Sequence, residues 1–198
     1  MDAISLLEKD HETVRELFER FGKAGTKAFK ARRSLVENLT EELVRHMSLE
    51  EQLFYPLARE RLEEDKILES LEEHHVTKLL LKEIEGLSPE TERYAAKVTV
   101  LREVVEHHLE EEEQKVFPLA RKAFSKDELA EAGTLLEERK KSAPTRPDPK
   151  ASDTPTAAER GRITTRALAA RTGRPGKKTG AAAKKPARKT TARKPSKR

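Results

Sequence analysis

Cysteine is missing from all 198 residues. Its absence excludes disulfides, zinc knuckles and thiol chemistry, so a bound metal must be held by histidine and carboxylate side chains. Long apolar runs are missing as well: nothing approaches the roughly 20 residues of a membrane span. The start of the chain, Met1-Asp2-Ala3-Ile4, has no basic stretch leading into an apolar one. No secretory leader is visible there, and the cytoplasm is the expected compartment. Also lacking are a Ser/His/Asp pattern, a phosphate-binding glycine loop and a CxxC pair. Apolar content is low. With 35% hydrophobic and 39% charged residues, the mixture is too polar for one globule of this length.

Charge is abundant, and it is divided. Residues 1–140 hold 23 Lys and Arg against 33 Asp and Glu, a net −10; residues 141–198 hold 18 against 3, a net +15. An acidic domain over 1–140 therefore precedes a basic tail over 141–198. The tail opens with Pro144, Pro147, Pro149 and Pro155, carries no aromatic residue, and has only Ile163 and Leu168 as large aliphatics. Such a segment buries too little apolar surface to offset chain entropy, so disorder is expected from residue 141 onward.

The acidic domain reads as helix throughout. Ile4, Leu7, Val14, Leu17, Phe18 and Phe21 recur at helical steps before Gly22 and Gly25. A second stripe runs through Leu35, Leu39, Leu43, Leu49, Leu53 and Leu57, and a third through Ile67, Leu68, Leu71, Leu80, Leu81 and Ile84 to Gly86. Ser88-Pro89 supplies an N-cap and a first-turn proline for a fourth, through Val98, Leu101, Val105 and Leu109. Ser125 and Glu128 form a capping-box pattern for a short fifth helix ending near Lys140. The expected fold is all-α: an antiparallel up-down four-helix bundle, a short fifth helix and a disordered tail. Pro56 and Pro118 fall at equivalent places inside two of the helices, where each should kink or locally unwind the backbone.

One histidine–carboxylate phrase occurs twice. His46-Met-Ser-Leu-Glu50-Glu51-Gln-Leu-Phe-Tyr-Pro56-Leu-Ala-Arg59 returns as His108-Leu-Glu-Glu-Glu112-Glu113-Gln-Lys-Val-Phe-Pro118-Leu-Ala-Arg121, an offset of 62 residues. Upstream, Asp10-His11 matches Glu73-His74 at an offset of 63. His11 lies on the apolar stripe of the first helix and points into the core. His46 and Glu50 share a helix face at i and i+4, as do His108 and Glu112. A buried carboxylate is costly unless paired or metal-bound. Four inward imidazoles and two inward carboxylates make a cage for two divalent cations, with imidazoles terminal and carboxylates bridging. Such mixed ligation suits iron, manganese or zinc. His75 and His107 each adjoin a repeat histidine about 100° away on the helix. The repeat selects His74 and His108, and leaves His75 and His107 as flanking residues. Glu51 and Glu113 are matched neighbours, either hydrogen-bonding the free ring nitrogen of a ligand or simply solvated.

These residues resemble the hemerythrin-like HHE cation-binding domain over about residues 1–123. Asp10-His11, His46-x-x-x-Glu50 with Phe-Tyr-Pro56, Glu73-His74, and His108-x-x-x-Glu112 with Val-Phe-Pro118 stand in that family's order. The resemblance implies a non-haem centre of two iron ions joined by an oxo or hydroxo bridge. His11, His46, His74 and His108 would be terminal ligands, and Glu50 and Glu112 bridges. Oxygen-carrying hemerythrins present a further histidine one turn from the third-helix ligand; here those places hold Ser70 and Lys78. That argues against reversible oxygen carriage. It leaves oxygen, peroxide or nitric oxide chemistry or sensing, or iron handling, with a peroxide-consuming or oxygen-reactive activity as the enzymatic version.

The tail resembles the Lys/Ala/Pro tails of linker histones in composition. Lys177, Lys178, Lys184, Lys185, Arg188, Lys189, Arg193 and Lys194 make it a polycation that would contact DNA or RNA phosphates without reading sequence. In one account the tail localises a metal domain near nucleic acid. In the other, the protein is a nucleoid-associated DNA-binding accessory whose bundle is regulatory or vestigial.

Overall fold

The computed structural model describes residues 1–62 and 64–151. Seven α-helices follow in order: α1 (Ala3–Lys23), α2 (Phe29–Leu49), α3 (Tyr55–Ala58), α4 (Glu64–Glu85), α5 (Glu92–Glu111), α6 (Phe117–Ala123) and α7 (Lys126–Lys140). Wide π-helical turns over Glu50–Phe54 and Glu112–Val116 join α2 to α3 and α5 to α6. Four rods result, with α7 added at the end; no strand occurs among the described residues. No helix among the described residues is long and apolar enough to cross a membrane.

Local chemistry explains the helix starts. The Asp2 carboxylate accepts the Ser5 N–H at 2.9 Å and caps α1. The Ser125–Glu128 capping box forms as its sequence predicts: Ser125 N–H donates to Glu128 Oε2 at 2.8 Å, and Glu128 N–H to Ser125 Oγ at 3.3 Å. The fourth rod starts later than its sequence suggested. Ser88-Pro89 closes a turn instead, in which Thr91 N–H donates to the Ser88 carbonyl at 3.1 Å. The Ser88 hydroxyl is used inside that turn, accepting the Glu90 N–H at 3.4 Å. The helix then begins at Glu92.

The chain threads two apolar clusters in alternating order. One contains Ile4, Leu7, Leu49, Ile67, Leu71, Phe117, Leu129 and Leu136, and the other Val14, Phe18, Leu39, Leu43, Leu81, Ile84, Val98 and Leu101. α1 and α4 run from the first cluster to the second, while α2 and the rod of α5 with α6 run from the second to the first. Every rod therefore crosses the gap between clusters, and His11, His46, His74 and His108 fall in that crossing. Leu68, counted on the apolar stripe from sequence, is exposed, as are Val76 and Leu79 on the same helix.

Both π turns sit at the crossing. Pro56 has no N–H to give the Gln52 carbonyl, and its ring would press on that carbonyl in a regular helix. The turn widens instead, and Tyr55 N–H reaches back five residues to the Glu50 carbonyl. Phe117 N–H does the same to Glu112 ahead of Pro118. The local unwinding expected at the two prolines thus starts at the two carboxylates of the repeat.

α7 closes one end. Gly133 lies against the N-terminal backbone: a Cβ there would meet the Met1 carbonyl, the Asp2 carbonyl carbon at 2.8 Å and the Ala3 nitrogen at 2.9 Å. Backbone cannot swing aside as a long side chain can. Gly133→Ala gains about 1 kcal/mol of helix propensity but forces α7 off α1, at about 1–3 kcal/mol for overpacking. A net loss of stability is expected in urea melts; an unchanged or raised midpoint would show that the approach is looser than described.

The chain does not leave the bundle at residue 141. Pro147 is buried, and Arg146 Nη1 lies 3.5 Å from Glu85 Oε1. Residues 141–151, the start of the expected tail, are thus among those the structure describes, and the Pro147 ring adds apolar burial there without an N–H to satisfy. The tail lysines and arginines named above, Lys177 to Lys194, lie outside the described residues.

Candidate metal centre

Between the two apolar clusters lies a thin polar layer. His11, His46, Glu50, His74, His108 and Glu112 are all buried in it. Each carboxylate stands between two imidazoles from different rods. Glu50 Oε2 is 3.1 Å from His46 Nε2 and 3.3 Å from His74 Nε2. Glu112 Oε2 is 3.3 Å from His11 Nε2 and 3.6 Å from His108 Nε2. The two sets are related by the repeat, with His11 matching His74, His46 matching His108 and Glu50 matching Glu112. Donor atoms of His11, His46, Glu50 and Glu112 all lie within 4.8 Å of one another, as do those of Glu50, His74 and His108.

An outer layer fixes which nitrogen faces inward. His11 Nδ1 is 2.8 Å from Glu113 Oε1, His74 Nδ1 is 3.0 Å from Glu51 Oε1, and His108 Nδ1 is 2.8 Å from Glu73 Oε2. A carboxylate accepts only, so these three rings carry their proton on Nδ1 and present an Nε2 lone pair to the centre. His74 Nε2 and His108 Nε2 consequently face each other 3.0 Å apart. The supporting carboxylates are themselves held. Arg15 grips Glu113 with two hydrogen bonds of 2.7 and 3.0 Å, and Lys78 Nζ is 2.7 Å from Glu51 Oε1. Arg15 and Lys78 stand four residues after His11 and His74, so the second, 63-residue repeat extends to this cation.

Two aromatic rings complete the pattern. Phe117 stacks on His11 at 5.5 Å between centroids, and its repeat partner Tyr55 lies over His74 at the same distance. The tyrosine hydroxyl breaks the symmetry. It donates to Glu112 Oε1 at 2.9 Å and lies 3.3 Å from His74 Nε2.

The layer is electrostatically strained as protein alone. Burial, reinforced by Glu112, pushes the Glu50 carboxyl well above its usual range. Burial acts upward on Glu112 too, but His108 and His11 outweigh it and hold this group well below that range. Burial and the neighbouring His11 push His46 down. For His11 burial again acts downward, and the Glu112 and Glu113 carboxylates override it. Glu113, hydrogen-bonded by His11 and gripped by Arg15, falls to about 2. Within these six residues, six polar atoms lack any hydrogen-bond partner: both Glu50 oxygens, Glu112 Oε2, His11 Nε2 and both nitrogens of His46. Buried orphan acceptors cost about 1–3 kcal/mol each, and this concentration of them in one layer has no place in a core built for stability. Cations placed among them would satisfy lone pairs and charge together, so the donor set fits two metal ions.

The other sequence candidates lie elsewhere. His75 is exposed. His107 is also exposed, with its Nε2 3.7 Å from Glu73 Oε1 in a surface group with Glu111. Glu51 is buried and Glu113 partly so, each on a histidine ring rather than in solvent. Sequence reasoning passed over Glu73, Arg15, Lys78 and Tyr55 as parts of the site. In the sequence Glu73 shows only as the neighbour of a repeat histidine. Arg15 and Lys78 had a readable signal, since both are cations at the same offset from a repeat histidine.

A helical bundle whose core holds such a cluster is a metal-binding protein. The family model of the hemerythrin HHE cation-binding domain matches residues 2–120, and the chain belongs to that family. The fold is similar to the crystal structure of a hemerythrin HHE cation-binding domain-containing protein, the Rv2633c homolog from Mycobacterium kansasii. That likeness has a TM-score of 0.64 at 22% identity, and covers 72% of this chain and 86% of that one. No curated protein gives a sequence match.

Proposed function

We propose that residues 1–140 form an antiparallel four-helix bundle that holds two iron ions and handles or senses a small oxidant: oxygen, peroxide or nitric oxide. His11 and His46 would hold one ion and His74 and His108 the other, with the carboxylates of Glu50 and Glu112 available to both. The observation that carries this reading is the set of orphaned inward-facing donors on Glu50, Glu112, His11 and His46. Imidazole with carboxylate favours iron, with manganese and zinc as competitors. Two irons at this place supply redox change and exchangeable positions for a small ligand.

The protein residues do the rest. Glu113, Glu51 and Glu73 keep three imidazoles in the ligating tautomer. The apolar clusters on either side exclude water from the layer. Tyr55 keeps a hydroxyl proton beside Glu112; burial, with Glu112 and Glu50 next, pushes its pKa well above 10. Its hydrogen bond to Glu112 makes it a hydroxyl donor at the centre. Ser70 and Lys78, one turn to either side of His74, offer no imidazole in the places where the resemblance puts a further histidine in oxygen carriers, and Lys78 is committed to Glu51, which supports oxidant chemistry over reversible oxygen carriage.

Metal analysis of protein purified from iron-replete cells tests the assignment. Two irons per chain are expected, with an optical band of an oxo-bridged ferric pair. His46→Ala and Glu112→Ala should each lose most of the metal, and exposed His107→Ala should keep it. Ligand variants that retain full metal would refute the assignment, and heavy loss from His107→Ala would mean that the wrong histidine of that pair was chosen.

The tail from residue 152, with Lys177, Lys178, Lys184, Lys185, Arg188, Lys189, Arg193 and Lys194, gives the protein a second arm. Its charge excess supports a sequence-independent tether to nucleic acid, consistent with a nucleoid location. Full-length protein should retard duplex DNA at low salt and a chain ending at Ala151 should not. With about eight phosphates engaged, log K should fall against log salt with a slope of about −7. No retardation by the full chain at low salt removes the tether.

A further inference from the structure

We propose that the two halves of the centre are unequal, and that the His74–His108 half takes its ion first. The proposal rests on the ligand assignment above. The inner donors do not distinguish the halves, because Glu50 and Glu112 each approach one imidazole of either half at 3.1–3.6 Å. The outer layer does distinguish them. In the His74–His108 half both rings have their distal nitrogen on a carboxylate, Glu51 and Glu73. In the His11–His46 half only His11 is so held, by Glu113, while His46 Nδ1 is buried without a partner.

The repeat shows where the missing support belongs. Glu73 serves His108, and the residue at its matched position is Asp10, next to His11 as Glu73 is next to His74. Aspartate is one methylene shorter. Asp10 is buried, one oxygen is taken by Lys140 from α7, and its Oδ2 has no partner. The half-site thus contains an unused carboxylate oxygen and an unused ring nitrogen. A carboxylate on the distal nitrogen fixes the ring's tautomer and orientation and raises its basicity toward a metal, and losing one costs about 10–100-fold in affinity. Tyr55 adds to the imbalance, since its hydroxyl stands by His74 where His11 has only the ring of Phe117.

The test is calorimetric titration of metal-free, full-length protein with Zn2+ in a His107→Ala background, which silences the exposed group of Glu73, His107 and Glu111. Two steps separated by about 10–100-fold are expected. Glu73 and Glu113 are both partly exposed, so their glutamine variants should fold. Glu73→Gln should weaken the tight step by about 10-fold or more and spare the weak one. Glu113→Gln should do the reverse. Asp10→Glu, which restores the length found at position 73, should tighten the weak step and narrow the gap. Equal steps in the parent protein, or a Glu113→Gln effect on the tight step, would overturn the loading order while leaving two bound ions. Failure to bind any ion would instead overturn the ligand assignment, and the order with it.

Discussion

Chelating both metals from the loaded protein should lower its melting temperature by on the order of 20 °C. An ion present at a thousandfold excess over its dissociation constant stabilises the folded state by about 4 kcal/mol, and two act on one cooperative layer. For a domain of this size each kcal/mol moves the midpoint by about 2–4 °C. The layer gives this effect a structural source, since the four rods meet in one buried layer and three of them bring to it donors orphaned without cations. Differential scanning calorimetry with and without chelator, at fixed protein concentration, reads it. A midpoint insensitive to chelator would place any bound metal outside the load on the core.

Replacing one bridge should separate stability from metal binding. Glu50→Met is expected to abolish loading of two ions, yet to make the metal-free protein more stable than metal-free wild type by about 1–4 kcal/mol, the range seen when buried ionic groups give way to apolar residues of similar volume. Three facts set the sign. Glu50 is fully buried, both of its oxygens lack a hydrogen-bond partner, and burial beside Glu112 pushes its carboxyl upward. Methionine keeps the volume, removes the orphan acceptors and relieves Glu112 of a like charge. Urea unfolding in chelator measures it. A metal-free Glu50→Met protein weaker than metal-free wild type would mean that Glu50 already stabilises the core without metal.

Much of the centre was legible because helical spacing converts sequence offsets into shared faces. His46 with Glu50, and His108 with Glu112, needed only the i, i+4 rule, and the repeat chose His74 and His108 over their exposed neighbours His75 and His107. The capping box at Ser125 was readable for the same reason: its partners are three residues apart. What escaped depends on helices meeting. Glu73 reaches His108 across 35 residues of sequence and Glu113 reaches His11 across 102, and no local pattern encodes those approaches. Glu51 and Glu113 were visible as matched neighbours, but only tertiary contact decides between an imidazole and water. Ser88-Pro89 carries an N-cap signature that its own turn uses first. Pro147 escaped because composition averages over the segment, whereas a single buried ring can pin the chain against the bundle.

Anomalous scattering at the iron edge from crystals of iron-loaded, full-length protein tests the central claim most directly. Two peaks should lie inside the bundle, one between His11 and His46 and one between His74 and His108, with Glu50 and Glu112 spanning both. A single peak, or density only at the exposed group of Glu73, His107 and Glu111, would contradict the account.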